Sequence, residues 1–194
     1  MQSFEEERLL TAVVELLAEK GHVSASEIAE RIAITDEASP RLGARLVAKA
    51  WLDPAFRQLL LADGSKAAES IGIMMRGVPP LGVLENTSDL HHLVVCTLCS
   101  CYPRAVLGYP PFWFKSPAYR ARAVREPRAV LKSWGTALPS TTRIRVVDST
   151  ADYRWMVLPV RPAGTDGLNE DALAALVDEG DLIGVTIPSF DVAN

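Results

Sequence analysis

Apolar residues recur at helical spacing through the first part of the chain. Phe4, Leu9, Leu10, Val13, Leu16 and Leu17 fall along one helix over residues 4–20, which Gly21 ends. Ser24 or Ser26 caps a second helix in "SASEIAERIAI", with Glu27 at capping-box distance from Ser24. Beyond Pro40, "RLGARLVAKAWLDPAFRQLLLADGSKAAESIGI" predicts two more helices broken at Asp53-Pro54, because the residue before a proline avoids the helical region. The pattern then changes. "GVPPLGVLEN" is extended, "DLHHLVVC" carries an apolar run, and "TRIRVVD" and "YRWMVLPV" alternate as two strands. Between them "YPPFWFKSP" reads as an irregular aromatic loop, and Ser116 caps a basic helix, "PAYRARAVREPRAVLKSWG", interrupted at Pro127. After the turn "RPAGTDG", "NEDALAALVDEG" predicts a short helix and "DLIGVTIP" a closing strand. The expected class is α+β: a helical N-terminal arm over residues 1–72, then a layered core of mixed helices and strands over 73–194.

Composition narrows the function. At 48% hydrophobic and 23% charged residues, the 194-residue chain has ample material for a core. Its net charge of -4 argues against nucleic acid or an anionic membrane as the main partner. No apolar run approaches the roughly 18–20 residues that span a bilayer. The start, "MQSFEEERLL", is acidic where a signal peptide is basic, so the expected location is cytoplasmic.

The distinctive chemistry lies in "VVCTLCSCYP", residues 94–103, which holds all three cysteines. Free cysteine packs well in cores, but three within six residues is a poor use of a small hydrophobe. A structural zinc site wants four ligands, usually as two separated pairs, and no second pair exists; His91 and His92 lie too close in the chain to complete a finger. Cys96 and Cys99 have redox C-x-x-C spacing, yet Pro103 and the aromatic loop stand where a thioredoxin-like site opens a helix. The spacing C-x-x-C-x-C also suits a tight loop that points three sulfurs at one centre. Two intervening amides, if deprotonated, add nitrogen donors and leave one octahedral position open, a set suited to a trivalent first-row metal in a catalytic site.

The motif resembles the metal-binding motif of nitrile hydratase α subunits. "GARLVAKAWLDPAFRQLLLADG", "VLENT", "PPFWFKSPAYRARAVREPRAVL", "IRVVDSTADYRWMVLPVRPAGTDG" and "LIGVTIP" resemble stretches of that family in the same order, from about Leu42 onward. The resemblance implies that Cys96 is the thiolate ligand opposite the open position, Cys99 carries a sulfinate and Cys101 a sulfenate. The backbone nitrogens of Ser100 and Cys101 would complete the plane. Thr97 stands where cobalt enzymes have threonine and iron enzymes serine, which implies one non-corrin cobalt(III) per chain, with iron(III) as the alternative. The implied reaction is the lyase chemistry that hydrates a small-molecule nitrile to its amide, the metal acting as Lewis acid. The nucleophile is either the Cys101 sulfenate oxygen or a water it activates, and Ser100 hydrogen-bonds near the oxidised sulfurs. Arginines of a β subunit, single or split in two, would supply much of the charge compensation, and a cobalt-loading helper protein is a further expected partner. Within the chain Asp152, Arg154 and Glu85 are candidates to surround the site, although an ordinary structural salt bridge explains each of the three equally well. Asp152 is one methylene shorter than the glutamate usual in the family.

The chain departs from the family after the cysteines. Arg104 and Ala105 replace the usual Trp-Pro pair, which makes Arg104 a substrate-pocket candidate and suggests a larger, more polar nitrile. Val160 stands where a polar residue is common. The variety that hydrates the nucleoside nitrile toyocamycin, with its partner split in two, fits that pattern. The main rival is the γ subunit of thiocyanate hydrolase, which resembles nitrile hydratase α throughout and whose anionic substrate suits Arg104. A regulatory module is the rival from another class: "GHVSASEIAERIAI" has the rhythm of a helix-turn-helix start, but no basic recognition helix follows Ile34.

Overall fold

The computed structural model describes residues 4–99 and 101–190. Contacts divide the chain into two units, residues 1–37 and 38–194. The first holds α1 (Phe4–Glu19) and α2 (Ala25–Glu37). Gly21 ends α1 at φ +69°, the left-handed turn in which glycine carries no Cβ penalty. The expected capping box forms: the Ser24 amide donates to Glu27 Oε2 at 2.7 Å and the Glu27 amide to Ser24 Oγ at 3.1 Å.

The second unit begins with α3 (Pro40–Leu52), α4 (Pro54–Ala62) and α5 (Gly64–Ser70). The sequence places these helices in an arm ending at residue 72, but the contacts place them in the larger unit. Leu46, Val47, Leu60, Ala67 and Ala68 are wholly buried in its core. Helical spacing reveals an apolar face without revealing what covers it. Asp53 and Asp63 each cap the following helix, so the stretch read as two helices is three. Gly43 permits the close packing of α3, since a Cβ there would lie 2.8 Å from Leu182 Cδ1.

Four strands follow, β1 (Leu81–Glu85), β2 (Leu90–Val95), β3 (Arg143–Asp148) and β4 (Arg154–Leu158), in two parallel pairs, β1 with β4 and β2 with β3. The chain reverses tightly between β1 and β2, where the Thr87 amide donates to Leu90 O, and between β3 and β4, where the Thr150 amide donates to Tyr153 O, each at 2.9 Å. The ends of β2 and β3 therefore lie beside the start of β4. Between β2 and β3 run the cysteine loop, α6 (Arg104–Leu107), α7 (Phe112–Lys115), α8 (Pro117–Arg125) and α9 (Pro127–Ser133). Two of these differ from expectation: a short helix does follow the cysteines, and the aromatic stretch contains one helical turn. Ser116 caps α8 by accepting from the Tyr119 amide, and Pro127 separates α8 from α9, both as expected. The last elements are α10 (Glu170–Ala174) and α11 (Glu179–Ile183).

No closing strand forms in "DLIGVTIP": Asp181–Ile183 are the end of α11, and the rest is turn and irregular chain. Asp178 and Asp181 form a capping box, and Gly184 at φ +83° stops the helix after five residues. A Cβ on Gly184 would lie 2.0 Å from His92 O, so the backbones of α11 and β2 touch there. Local capping overrides the apolar run. The fold class, helices packed on a few strands, is α+β. Among the described residues no helix is long and apolar enough to cross a membrane.

His91 and His92 belong to the core, not to the cysteines. His91 Nε2 donates to Gly184 O at 2.7 Å, while its Nδ1 accepts from Asn86 Nδ2 at 3.1 Å. Asn86 Oδ1 accepts from the His92 amide at 2.7 Å. Burial pushes both imidazoles below their ordinary value. Protonating Nδ1 of His91 would set N–H against N–H. The unfolded chain then binds more protons just below its own histidine pKa of about 6.5, so folding stability must fall as pH drops through that value towards 5. Urea denaturation should show a slope of up to about 1.4 kcal/mol per pH unit for each histidine, shallower in His91→Gln. Equal slopes in the two proteins would contradict a neutral, buried His91.

Candidate metal centre

The cysteine loop starts where β2 ends. Val95 is paired with Asp148, the last residue of β3, and the Ser149 amide donates to Val95 O at 2.7 Å. Asp148 reaches across to the loop and receives two donors from Thr97, the amide at 3.0 Å on Oδ1 and the hydroxyl on Oδ2. At the other end Tyr102 is buried, its hydroxyl donating to Glu179 Oε1 at 2.5 Å and its ring edge-on to Phe114 at 4.9 Å. The loop is thus pinned on both sides of the three sulfurs. From beneath, buried Tyr119 donates to Val94 O at 2.7 Å.

Cys96 and Cys101 are buried and Cys99 is exposed. Cys96 Sγ lies 3.4 Å from Cys99 Sγ, which lies 3.0 Å from Cys101 Sγ, and all three fall within 4.8 Å of one another. These separations test the metal geometry. With metal–thiolate bonds of about 2.3 Å, sulfurs at right angles lie about 3.3 Å apart and tetrahedral ones about 3.8 Å. The two separations that Cys99 makes therefore lie nearer the right-angled value than the tetrahedral one of a zinc site. Three soft donors with one face open to solvent form a metal-binding cluster.

Burial, then hydrogen bonding from Cys99 and Cys96, pushes the Cys101 thiol up to about 12, with the Arg154 guanidinium pulling the other way. A bare loop holds this group as a thiol, and a metal must displace its proton. Arg154, at the start of β4, is half-buried, and its Nη1 has no hydrogen-bond partner among the described residues. A cation with a spare buried donor beside Cys101 suits an anionic, oxygen-bearing sulfur.

The other expected residues are dispersed. Ser100 lies outside the described residues. Arg104 opens α6, exposed, with its guanidinium 4.4 Å from the Tyr109 ring centroid. Asp152 is exposed in the turn before β4, with no hydrogen bond or ion pair among the described residues. Glu85 is drawn into a structural ion pair, accepting from Arg57 Nε at 2.7 Å, and it pairs with Leu158 at the end of the β1–β4 ladder away from Arg154. The arginines of α8 and α9 are partly consumed internally. Arg122 pairs with Glu126, and Arg128 donates to the carbonyls of Leu138, Pro139 and Thr142. Sequence reading missed Asp148, Tyr102 and Glu179. Tyr102 adjoins the motif and was within reach, but Asp148 is 51 residues from Thr97 and only the parallel pairing brings it there.

A loop pinned at both ends that gathers three sulfurs within 4.8 Å of one another defines a metal-binding cysteine cluster. The family described as "Nitrile hydratase, alpha chain" matches residues 4–186, and the chain belongs to that family. It is 48% identical to the low-molecular weight cobalt-containing nitrile hydratase subunit alpha of Rhodococcus rhodochrous, covering 92% of this chain and 86% of that one. It is 47% identical to the thiocyanate hydrolase subunit gamma of Thiobacillus thioparus, covering 94% and 79% respectively. Among solved structures, a thiocyanate hydrolase mutant superposes at TM-score 0.84 with 44% identity, over 96% of this chain and 91% of that one. A double mutant of the Fe-type nitrile hydratase from Comamonas testosteroni Ni1 gives 0.81 and 41%, over 97% and 93%.

The Asp148 clamp has a measurable consequence. Asp148→Ala removes both acceptors of Thr97 and should lower folding stability by about 1 kcal/mol, because the contact is exposed. Metal retention should fall far more, since the loop then has to be ordered by the metal itself. Elemental analysis after dialysis against a chelator checks this; retention equal to the parent protein would rule out the clamp.

Proposed function

We propose that this chain is the metal-bearing α subunit of a cobalt nitrile hydratase and adds water across a C≡N bond to yield an amide. The observation that carries this reading is the convergence of the Cys96, Cys99 and Cys101 sulfurs within 4.8 Å in a chain nearly half identical to cobalt-containing relatives. When bound, cobalt(III) supplies a Lewis acid for the nitrile nitrogen. The chain's own residues do the rest. Cys96, Cys99, Cys101 and the backbone nitrogens of Ser100 and Cys101 would hold the ion. Cys99 would carry a sulfinate and Cys101 a sulfenate, the oxygens supplied by dioxygen or peroxide, since such oxidation follows thiolate character and access. In one form of the step the Cys101 sulfenate oxygen would take a proton from a water whose oxygen bonds the nitrile carbon as a C–N π bond opens, and both protons end on nitrogen. In the other the sulfenate oxygen would itself bond that carbon, with water then releasing the amide and restoring the sulfenate. Ser100 would hydrogen-bond beside that oxygen. Arg154 offers its spare Nη1 to a sulfur-bound oxygen, and Asp152 lies in the adjoining turn. Thr97, bonded to Asp148, supports cobalt over iron. A β subunit, single or split, completes the charge compensation, and a helper protein loads the metal.

Arg104 favours a second reading, a γ-type subunit acting on thiocyanate. An exposed guanidinium three residues after Cys101, held by Tyr109, suits a small anion better than a neutral nitrile.

Both readings are tested on the complex with its partner. The first expects near-stoichiometric cobalt, three added oxygens on the peptide containing residues 96–101, amide product from organic nitriles, and no turnover by Cys101→Ser. Mostly iron, or cobalt without amide, would overturn it. Arg104→Ala separates the two. If thiocyanate is the substrate, its KM should rise roughly tenfold on losing one charge-assisted contact, with neutral nitriles unaffected.

A further inference from the structure

One face of α8 is built around positive charge. Pro117, Arg120, Ala121, Val124 and Arg125, spaced as helical neighbours, line an open cavity of about 330 Å³ whose remaining wall is Thr97 of the cysteine loop. The opposite face buries Tyr119 and Ala123. The charge on the cavity side is uncompensated. Arg125 makes no ion pair among the described residues, whereas Arg122 is already paired with Glu126. Arg120 donates Nη1 to Thr97 O at 3.4 Å, and its buried Nε has no acceptor among the described residues. On a chain of net charge -4, this is a local patch of the opposite sign. Its surroundings are apolar and wet: Val124 is 53% exposed and Leu98, beside Thr97, 89%.

We propose that this groove receives a carboxylate-bearing segment of the partner subunit, an aspartate or glutamate flanked by an apolar residue. The carboxylate pairs with Arg125 and Arg120, and the apolar neighbour covers Val124 and Leu98. The assignment rests on the reading that the chain works with a partner. A free small anion is the weaker occupant, because an ion pair left in water contributes little. A docked segment removes Val124 and Leu98 from water and strengthens the same pair by excluding solvent. Because Arg120 also holds the Thr97 carbonyl, docking and the metal loop share one guanidinium.

The test uses the cobalt-loaded chain and the purified partner subunit of the same enzyme, with the dissociation constant measured across a range of salt. Arg125→Glu should weaken the complex at least about tenfold and flatten its salt dependence. Val124→Asp should weaken it comparably, and Arg125→Lys should stay close to the parent. Cobalt content and cysteine oxidation should not change in the three, since neither Arg125 nor Val124 supplies a ligand or a side-chain hydrogen bond to the loop among the described residues. Unchanged affinity and salt dependence in Arg125→Glu and Val124→Asp overturn the proposal. Acetate binding that Arg125→Glu abolishes, with partner affinity unaltered, overturns it in favour of a small-anion site. A complex with the expected charge dependence that hydrates neither nitrile nor thiocyanate overturns the proposed function and leaves the docking assignment standing. A parent chain that binds no partner overturns both.

Discussion

The parallel pairing of β2 with β3 carries the centre. Val95 lies opposite Asp148, so the carboxylate at the end of one strand meets the first turn of the loop leaving the other. A slip of one residue would turn Asp148 to the other face and leave Thr97 with no acceptor. Parallel strands need a long crossover, and here it contains the cysteines, the aromatic turn and α8. The element that makes the pairing possible therefore also carries the metal ligands. Tyr119 of α8, bonded to Val94 O, ties the crossover back onto the strand it left.

That scaffold resists an electrostatic penalty. Two of the three sulfurs are buried, and Cys101 is disfavoured as a thiolate until a metal displaces its proton. The loop cannot rely on charge to hold its shape beforehand. Contacts outside the sulfurs hold it instead: the Asp148 clamp, the Tyr102–Glu179 hydrogen bond and the edge-on packing on Phe114. Preorganisation of this kind lets binding energy go into displacing protons rather than ordering chain.

The unpartnered donors follow the same logic. Arg154 Nη1 and Arg120 Nε are buried guanidinium nitrogens without acceptors among the described residues, the one in a side chain that acts on Cys101 and the other in one that bonds Thr97. Such groups are costly unless something completes them. Oxygen on sulfur suits the first, beside Cys101, and a docked carboxylate the groove around the second. The isolated chain thus carries its incompleteness as unsatisfied charge next to the chemistry.

Much of the centre was legible in the order of residues. The spacing C-x-x-C-x-C limits the sulfurs to one small loop, and local rules placed the Ser24–Glu27 capping box, the Ser116 cap and the break at Pro127, because each depends on neighbours only. What the tertiary structure decided depends on distant partners. It moved α3–α5 into the core, since periodicity shows a face but not its cover. It turned the start of "DLIGVTIP" into a capped helix end packed on His92. It tied Glu85 to Arg57, left Asp152 in solvent, and brought Asp148 to Thr97 across 51 residues. Sequence alone determined which atoms can bind a metal; only the strand register decided what holds them still.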